Sequence, residues 1–241
     1  MKNTGMNLSI IAATAFVCAT VFGCTFNKPD NTALTMTPVG TWVDTVTTTP
    51  SFAFALSRPI TDTVVTLKLD PAASFGGDLC AKISPTCDTL FFDVPVGSTI
   101  LSGSTTYTIS PSTILHSATG KTLDPSGAVF SFTTYPSESG QNITPAKADT
   151  FSGKICGQIY PSSDTDYFYV ASPAGQTLSI TSSGEGIVAM ALDTMGTWSD
   201  TLASSAGLVH AFSSKAKSPL TIAVVSINRT SASYLLFVGK P

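Results

Sequence analysis

An all-β chain of two tandem β-sandwiches after a signal peptide is the architecture that the sequence predicts. Three observations predict it. Apolar residues alternate with polar ones at period two along most of the chain, and helical spacing is scarce. Ser and Thr make up about a quarter of the 241 residues while only 11% are charged, a balance that suits exported strands. Gly, Pro, Ser and Asp then divide the alternating runs into short pieces, the pattern of sandwiches rather than of βαβ units.

The leader comes first. Lys2 precedes an uncharged run from Leu8 to Phe22. That run is long enough for a signal-peptide core and shorter than the ~20 apolar residues of a membrane span. It ends in Val21-Phe22-Gly23-Cys24, which resembles the lipobox of bacterial lipoproteins. The resemblance implies removal of residues 1–23 and lipidation of Cys24 as the mature N-terminus. More than one acyl chain on that terminus makes a stable anchor. Residues 24–37 then read as the lipidated terminus and a polar tether. Thr25, rather than Asp, follows the cysteine, and this points to the outer membrane of a bacterial cell envelope, on its periplasmic face or at the cell surface.

The mature chain reads as strands in series. Phe52, Phe54 and Leu56 share one face, as do Val65, Leu67 and Leu69, then Leu90, Phe92 and Val94. Tyr107 with Ile109 and Phe130 with Phe132 follow. Beyond them lie Tyr167 to Val170, Leu178 and Ile180, Ile187 to Leu192, Leu208 to Phe212, Leu220 to Val225 and Tyr234 to Val238. Pro136-Ser137-Glu138-Ser139-Gly140 interrupts the series with a polar stretch that reads as a linker. It leaves domains of residues 38–135 and 141–241, each of ordinary sandwich size.

Residues 38–135 resemble the bacterial immunoglobulin-like domain of the S-layer-protein (SbsA-like) type. Phe54-Ala55-Leu56-Ser57-Arg58-Pro59-Ile60, the strand at Tyr107-Thr108-Ile109, and Gly120-Lys121-Thr122-Leu123 with Phe130-Ser131-Phe132-Thr133-Thr134 carry the likeness. It implies a spacer, surface-layer or adhesion module that needs no catalytic residue. Cys80 and Cys87 flank a short loop between two strand signals. In an exported chain this close pair reads as a disulfide, worth roughly 2–3 kcal/mol in the chain-entropy model, against two separate thiols.

Residues 141–241 resemble the bacterial pre-peptidase C-terminal (PPC) domain, a jelly-roll-like β-sandwich. Gly157-Gln158-Ile159, Asp164-Thr165-Asp166-Tyr167-Phe168-Tyr169-Val170, Pro173-Ala174-Gly175 and Ala191-Leu192-Asp193-Thr194-Met195-Gly196 carry this likeness. Related domains open with an acidic segment that holds calcium. Here Glu138 and Asn142 stand further apart, and Ala148-Asp149 replaces part of the segment. Asp164 and Asp166 remain candidate calcium ligands through their oxygens, although Asp before a strand more often caps a turn. No other cofactor is expected. Cys156 alternates away from Ile155, Gly157 and Ile159 and reads as a half-buried thiol.

No catalytic constellation emerges. His116 and His210 fall in different domains, and neither belongs to a Gly-x-Ser-x-Gly elbow or a His-Glu-x-x-His helix. A net charge of −3 with no basic stripe argues against nucleic acid. Trp42 and Trp198 are candidate sugar platforms, with burial as the commoner fate of Trp. The leading expectation is a non-catalytic, lipid-anchored envelope protein that presents two sandwiches for adhesion, protein contact or assembly. Its alternative is a binding module for a polysaccharide or fibrous protein, with Trp198 as the residue named for ligand contact and calcium at Asp164 and Asp166. A third reading, an accessory piece of a secreted hydrolase, has no peptidase domain to support it.

Overall fold

The computed structural model describes residues 32–73, 78–94, 101–192, 198–216 and 219–240. Cys24, the leader and most of the tether lie outside the described residues. So do Asp193 to Gly196, and the Trp198 side chain is not among those described.

The described chain is nearly all β. Two one-turn 3₁₀ segments, Pro125–Gly127 and Pro145–Lys147, are its helical elements. The first half carries β1 (Met36–Pro38), β2 (Thr45–Val46), β3 (Ser51–Leu56), β4 (Thr66–Asp70), β5 (Leu79–Cys80) and β6 (Lys82–Ile83). It continues with β7 (Thr89–Asp93), β8 (Thr106–Pro111), β9 (Leu115–His116), β10 (Thr122–Leu123) and β11 (Phe130–Thr134). The second half carries β12 (Asp149–Phe151), β13 (Gly153–Ile159), β14 (Thr165–Val170), β15 (Thr177–Ser182) and β16 (Ile187–Leu192). Then come β17 (Trp198–Ser204), β18 (His210–Ala211), β19 (Leu220–Ser226) and β20 (Ala232–Gly239).

In the first half, a sheet of order β1-β3-β7-β6 faces one of order β2-β11-β8-β4-β5 across a shared core. Strict alternation builds that core. β3 buries Phe52, Phe54 and Leu56 and turns Ser51, Ala53 and Ala55 outward. β8 does the same with Tyr107, Ile109 and Pro111. Leu34 and Met36 are also buried here, so the sandwich begins before residue 38 and takes in the end of the expected tether. The period-two pattern of Leu34 and Met36 between threonines explains why.

The second half pairs a sheet of order β12-β14-β19-β16-β17 with one of order β13-β20-β15-β18 over a separate core that includes Phe168, Leu178, Ile222 and Leu236. No sheet and no core cluster among the described residues contains residues from both halves. A further property is common to the two halves. The chain steps from an edge strand of one sheet directly to an edge strand of the facing sheet at β1–β2, β5–β6, β12–β13 and β17–β18.

The stretch from Pro136 to Gly140, exposed at Pro136, Ser139 and Gly140, pairs with the second half over its first three residues. Ser137 forms a parallel bridge with Cys156 on β13. The Cys156 N–H donates to the Pro136 carbonyl at 2.7 Å, and the Glu138 N–H donates to the Cys156 carbonyl at 2.9 Å. On the other side, the Tyr135 N–H donates to the Val46 carbonyl at 2.9 Å. Residues 136–138 therefore extend the margin of β13, directly after the first half's last backbone bond at Tyr135, and Cys156 is fully buried.

Cys80 and Cys87 lie on either side of a switch between the two sheets. Cys80 ends β5 in one sheet with its side chain exposed, paired through its backbone with Thr66. Cys87 sits beyond the sheet switch, in a turn closed by its own N–H on the Ser84 carbonyl and with φ of 56°. This turn closes the local chain through its backbone.

Candidate functional site

A buried polar cluster lies within the second half, and the inter-sandwich segment supplies part of it. β14 alternates cleanly, burying Asp166, Phe168 and Val170. This places one carboxyl among apolar side chains, with Asp166 only 2% exposed. β20 contributes Tyr234, whose hydroxyl donates to Asp166 Oδ2 at 2.8 Å. The same hydroxyl lies 3.1 Å from Glu138 Oε2. Glu138 Oε1 accepts from the Gln158 N–H at 2.9 Å. Asn142, fully buried, donates from Nδ2 to Glu138 Oε2 at 3.3 Å, and its Oδ1 has no hydrogen-bond partner.

Gly157 makes the site possible. It pairs with Tyr234 in the β13–β20 ladder. A Cβ at this position would run into the Tyr234 hydroxyl and come within 2.9 Å of Glu138 Oε2. Glycine therefore provides the floor over which the phenol and the carboxylate meet.

The electrostatics follow from burial. Loss of water pushes the Asp166 carboxyl up to about 10, and the neighbouring Glu138 charge adds to the effect. Burial also raises Glu138, offset in part by the Gln158 N–H and the other hydrogen bonds that it accepts. Tyr234 is held well above the ordinary phenol range by burial and by the two carboxyls. Cys156, nearby on β13, is pushed up to about 11, mainly by burial. With Asp166 buried and Glu138 half-buried beside it, the pair favours holding a proton, because two adjacent charges repel where water is scarce.

The two aspartates named as calcium candidates diverge. Asp164 is half-buried, and its Oδ1 accepts the Thr165 N–H, the turn-capping role. Asp166 points inward to Tyr234. Glu138 and Asn142, which looked too far apart, meet through their side chains after all. Among the described residues no group of three or more His, Cys, Asp or Glu side chains has a metal-holding arrangement.

The remaining candidates are dispersed. Trp42 covers the first core. It stacks on Phe52 with ring centres 5.7 Å apart, touches Phe54, Phe130 and Phe132, and donates its Nε1–H to the Ser131 carbonyl at 2.8 Å. It is a core lid rather than an open platform. His116 Nδ1 lies 3.1 Å from Asp62 Oδ1. The adjacent Ser117 hydroxyl is directed instead to the Lys121 carbonyl, so no nucleophile is set on that ring. His210 packs edge-on against Phe212.

Sequence reasoning missed Tyr234 and the inward role of Glu138. The one usable signal was Glu138 itself, one of only two glutamates in the chain and placed in an otherwise uncharged stretch. No family model and no curated protein matches the chain.

Proposed function

We propose that the chain is a non-catalytic, lipid-anchored protein of the bacterial cell envelope that presents two β-sandwiches for adhesion, protein contact or envelope assembly. The reading keeps the resemblances to SbsA-like immunoglobulin and PPC domains as its basis for module type. The single observation that carries it is the placement of the aromatic side chains. Trp42 is turned into the core, and among the described residues the large aromatics with exposed side chains are Phe91 and Tyr160, one in each half. A sugar-binding face needs a cluster of exposed rings, whereas a presenting module needs only well-separated cores under a hydroxyl-rich surface.

The anchor is tested by metabolic labelling with palmitate and by membrane fractionation. Cys24→Ala is expected to abolish label incorporation and to release the protein or leave its precursor. A mature N-terminus elsewhere without acyl mass would end the reading. Crosslinking in the native envelope followed by mass spectrometry then identifies what the sandwiches touch.

A second reading, the binding module for a polysaccharide, has one specific observation in its favour. A groove of about 210 Å³ is lined by Thr47 and Thr49 of the first half and by Thr181, Ser182, Ser183 and Ser233 of the second. The Thr49 hydroxyl there is buried without a partner. Saccharide-array binding that Thr49→Val removes would favour this reading over the first.

A further inference from the structure

The cluster around Tyr234 has an unbalanced supply of protons. The phenol has one hydroxyl proton and faces two carboxyls, at 2.8 Å and 3.1 Å. With both carboxyls ionised, two negative charges would share a site open to water only at Glu138, with that single donor, the Gln158 N–H and the Asn142 amide. No cation among the described residues forms an ion pair with either carboxyl. The groups touching Glu138 are neutral or acidic: Asp166 on β14, Tyr234 on β20, the Asn142 amide, and Cys156 and the Gln158 N–H on β13. Asp164 acts on Asp166, while Asp149 on β12 and Lys154 on β13 flank the segment from outside, Asp149 on the Ser139 N–H and Lys154 on the Tyr135 hydroxyl.

The members differ in how firmly they are held. Asp166 and Tyr234 sit on strands that have a neighbour on each side in their sheets. Glu138 is half-buried, whereas Asp166 is 2% exposed. Its segment is tied to β13 by two backbone hydrogen bonds at residues 136 and 138, and further along by the Ser139 N–H on Asp149 Oδ2 at 2.7 Å and the Tyr167 N–H on the Asn142 carbonyl at 2.9 Å. If the site must shed a charge, Glu138 is the group able to leave for water.

We propose that Glu138 is a proton-locked clasp: a proton shared with Asp166 beneath the Tyr234 hydroxyl holds the segment around Glu138 against the second sandwich, and its loss releases the Glu138 side chain and the 136–138 pairing with it. The direction of the raised carboxyls puts the release on the alkaline side. The locked form is the one present at neutral and mildly acidic pH. The clasp thus makes the connection between the two sandwiches stiff or slack according to the protons around it.

The chain offers a direct readout because Glu138 and Glu185 are its only glutamates. Glu185 lies exposed in the turn before β16 and serves as the internal control for a glutamate-specific endoprotease. With the purified full chain between pH 6 and pH 9, cleavage after Glu138 relative to Glu185 is expected to rise by at least about ten-fold. Asp166→Asn keeps an acceptor for Tyr234 and supplies fixed protons towards Glu138, so its ratio should stay flat. A ratio in the wild-type chain that does not change with pH overturns the proposal, whether or not the variant folds. So does an equal rise in Asp166→Asn. If a chelator opens the Glu138 site at pH 6 and added calcium recloses it, a cation rather than a proton is the lock, and the proposal fails.

Discussion

Gly157 and Tyr234 face one another across the β13–β20 ladder, and the missing side chain of the first is the space that the hydroxyl of the second occupies. A methyl group at residue 157 must displace the phenol or the Glu138 carboxylate. Gly157→Ala is therefore expected to destabilise the second sandwich by about 1–3 kcal/mol, as overpacking of a filled site does. Urea unfolding followed by circular dichroism measures it. An unchanged midpoint would mean that the ladder has slack that the close approach does not suggest.

The buried acids set the pH dependence of stability. An unfolded aspartate releases its proton near about pH 3.9, whereas Asp166 in the folded chain holds one up to about 10. Between those values the folded state binds more protons, so stability is greatest on the acid side and declines as pH rises through the window. The melting temperature of the full chain should fall from pH 5 to pH 9. Asp166→Asn should flatten that fall and melt higher than wild type at pH 9. A wild-type chain that melts higher at pH 9 than at pH 5 would contradict the buried acid pair.

Trp42 joins the first core and no other. All four of its ring partners, Phe52, Phe54, Phe130 and Phe132, belong to that half. Trp42→Ala should cost roughly 2–4 kcal/mol, since the ring is half-buried and its removal opens one side of the core. If the two cores unfold separately, only the transition of the first should move, which differential scanning calorimetry resolves. Equal loss in both transitions would show the halves to be a single cooperative unit.

Cys156 should be chemically silent in the native chain. It has no exposed surface, and burial pushes its thiol up to about 11. Maleimide labelling at pH 7 should be slower by at least about a hundred-fold in buffer than in 8 M urea. Ready labelling without denaturant would mean that the segment from Pro136 to Glu138 lifts away at neutral pH.

Much of the fold was legible because side-chain periodicity reports directly on strand faces. Phe52, Phe54 and Leu56, or Tyr107 and Ile109, could be assigned to the core from alternation alone. The pairing at the junction was hidden because composition reports solubility and not backbone pairing. Pro136 and Ser137 look like linker residues, yet a carbonyl and an amide suffice to extend β13. The candidate site was hidden for a related reason. Glu138, Asp166 and Tyr234 meet only after three strands and a connecting segment are in place, and no local motif encodes that encounter. Asp166 also sits in the same alternating register as Phe168, where an acidic residue reads as a turn cap rather than as a buried acid.

The switching of edge strands between sheets has a consequence for self-association. Of the eight strands at the margins of the four large sheets, β1, β2, β5, β6, β12 and β18 are three residues long or shorter. Each offers a foreign strand too few free amides and carbonyls to template a continuous ladder. The longer β13 already has Ser137 bridged alongside it. β17 meets β16 through two shifts of register, an irregularity that bends a margin away from flatness. A chain so rich in Thr, Val and Ile would otherwise be a ready seed for fibrils, above all when crowded on a surface. Its protection comes from backbone routing rather than from charge, which is in keeping with a protein of so few charged side chains.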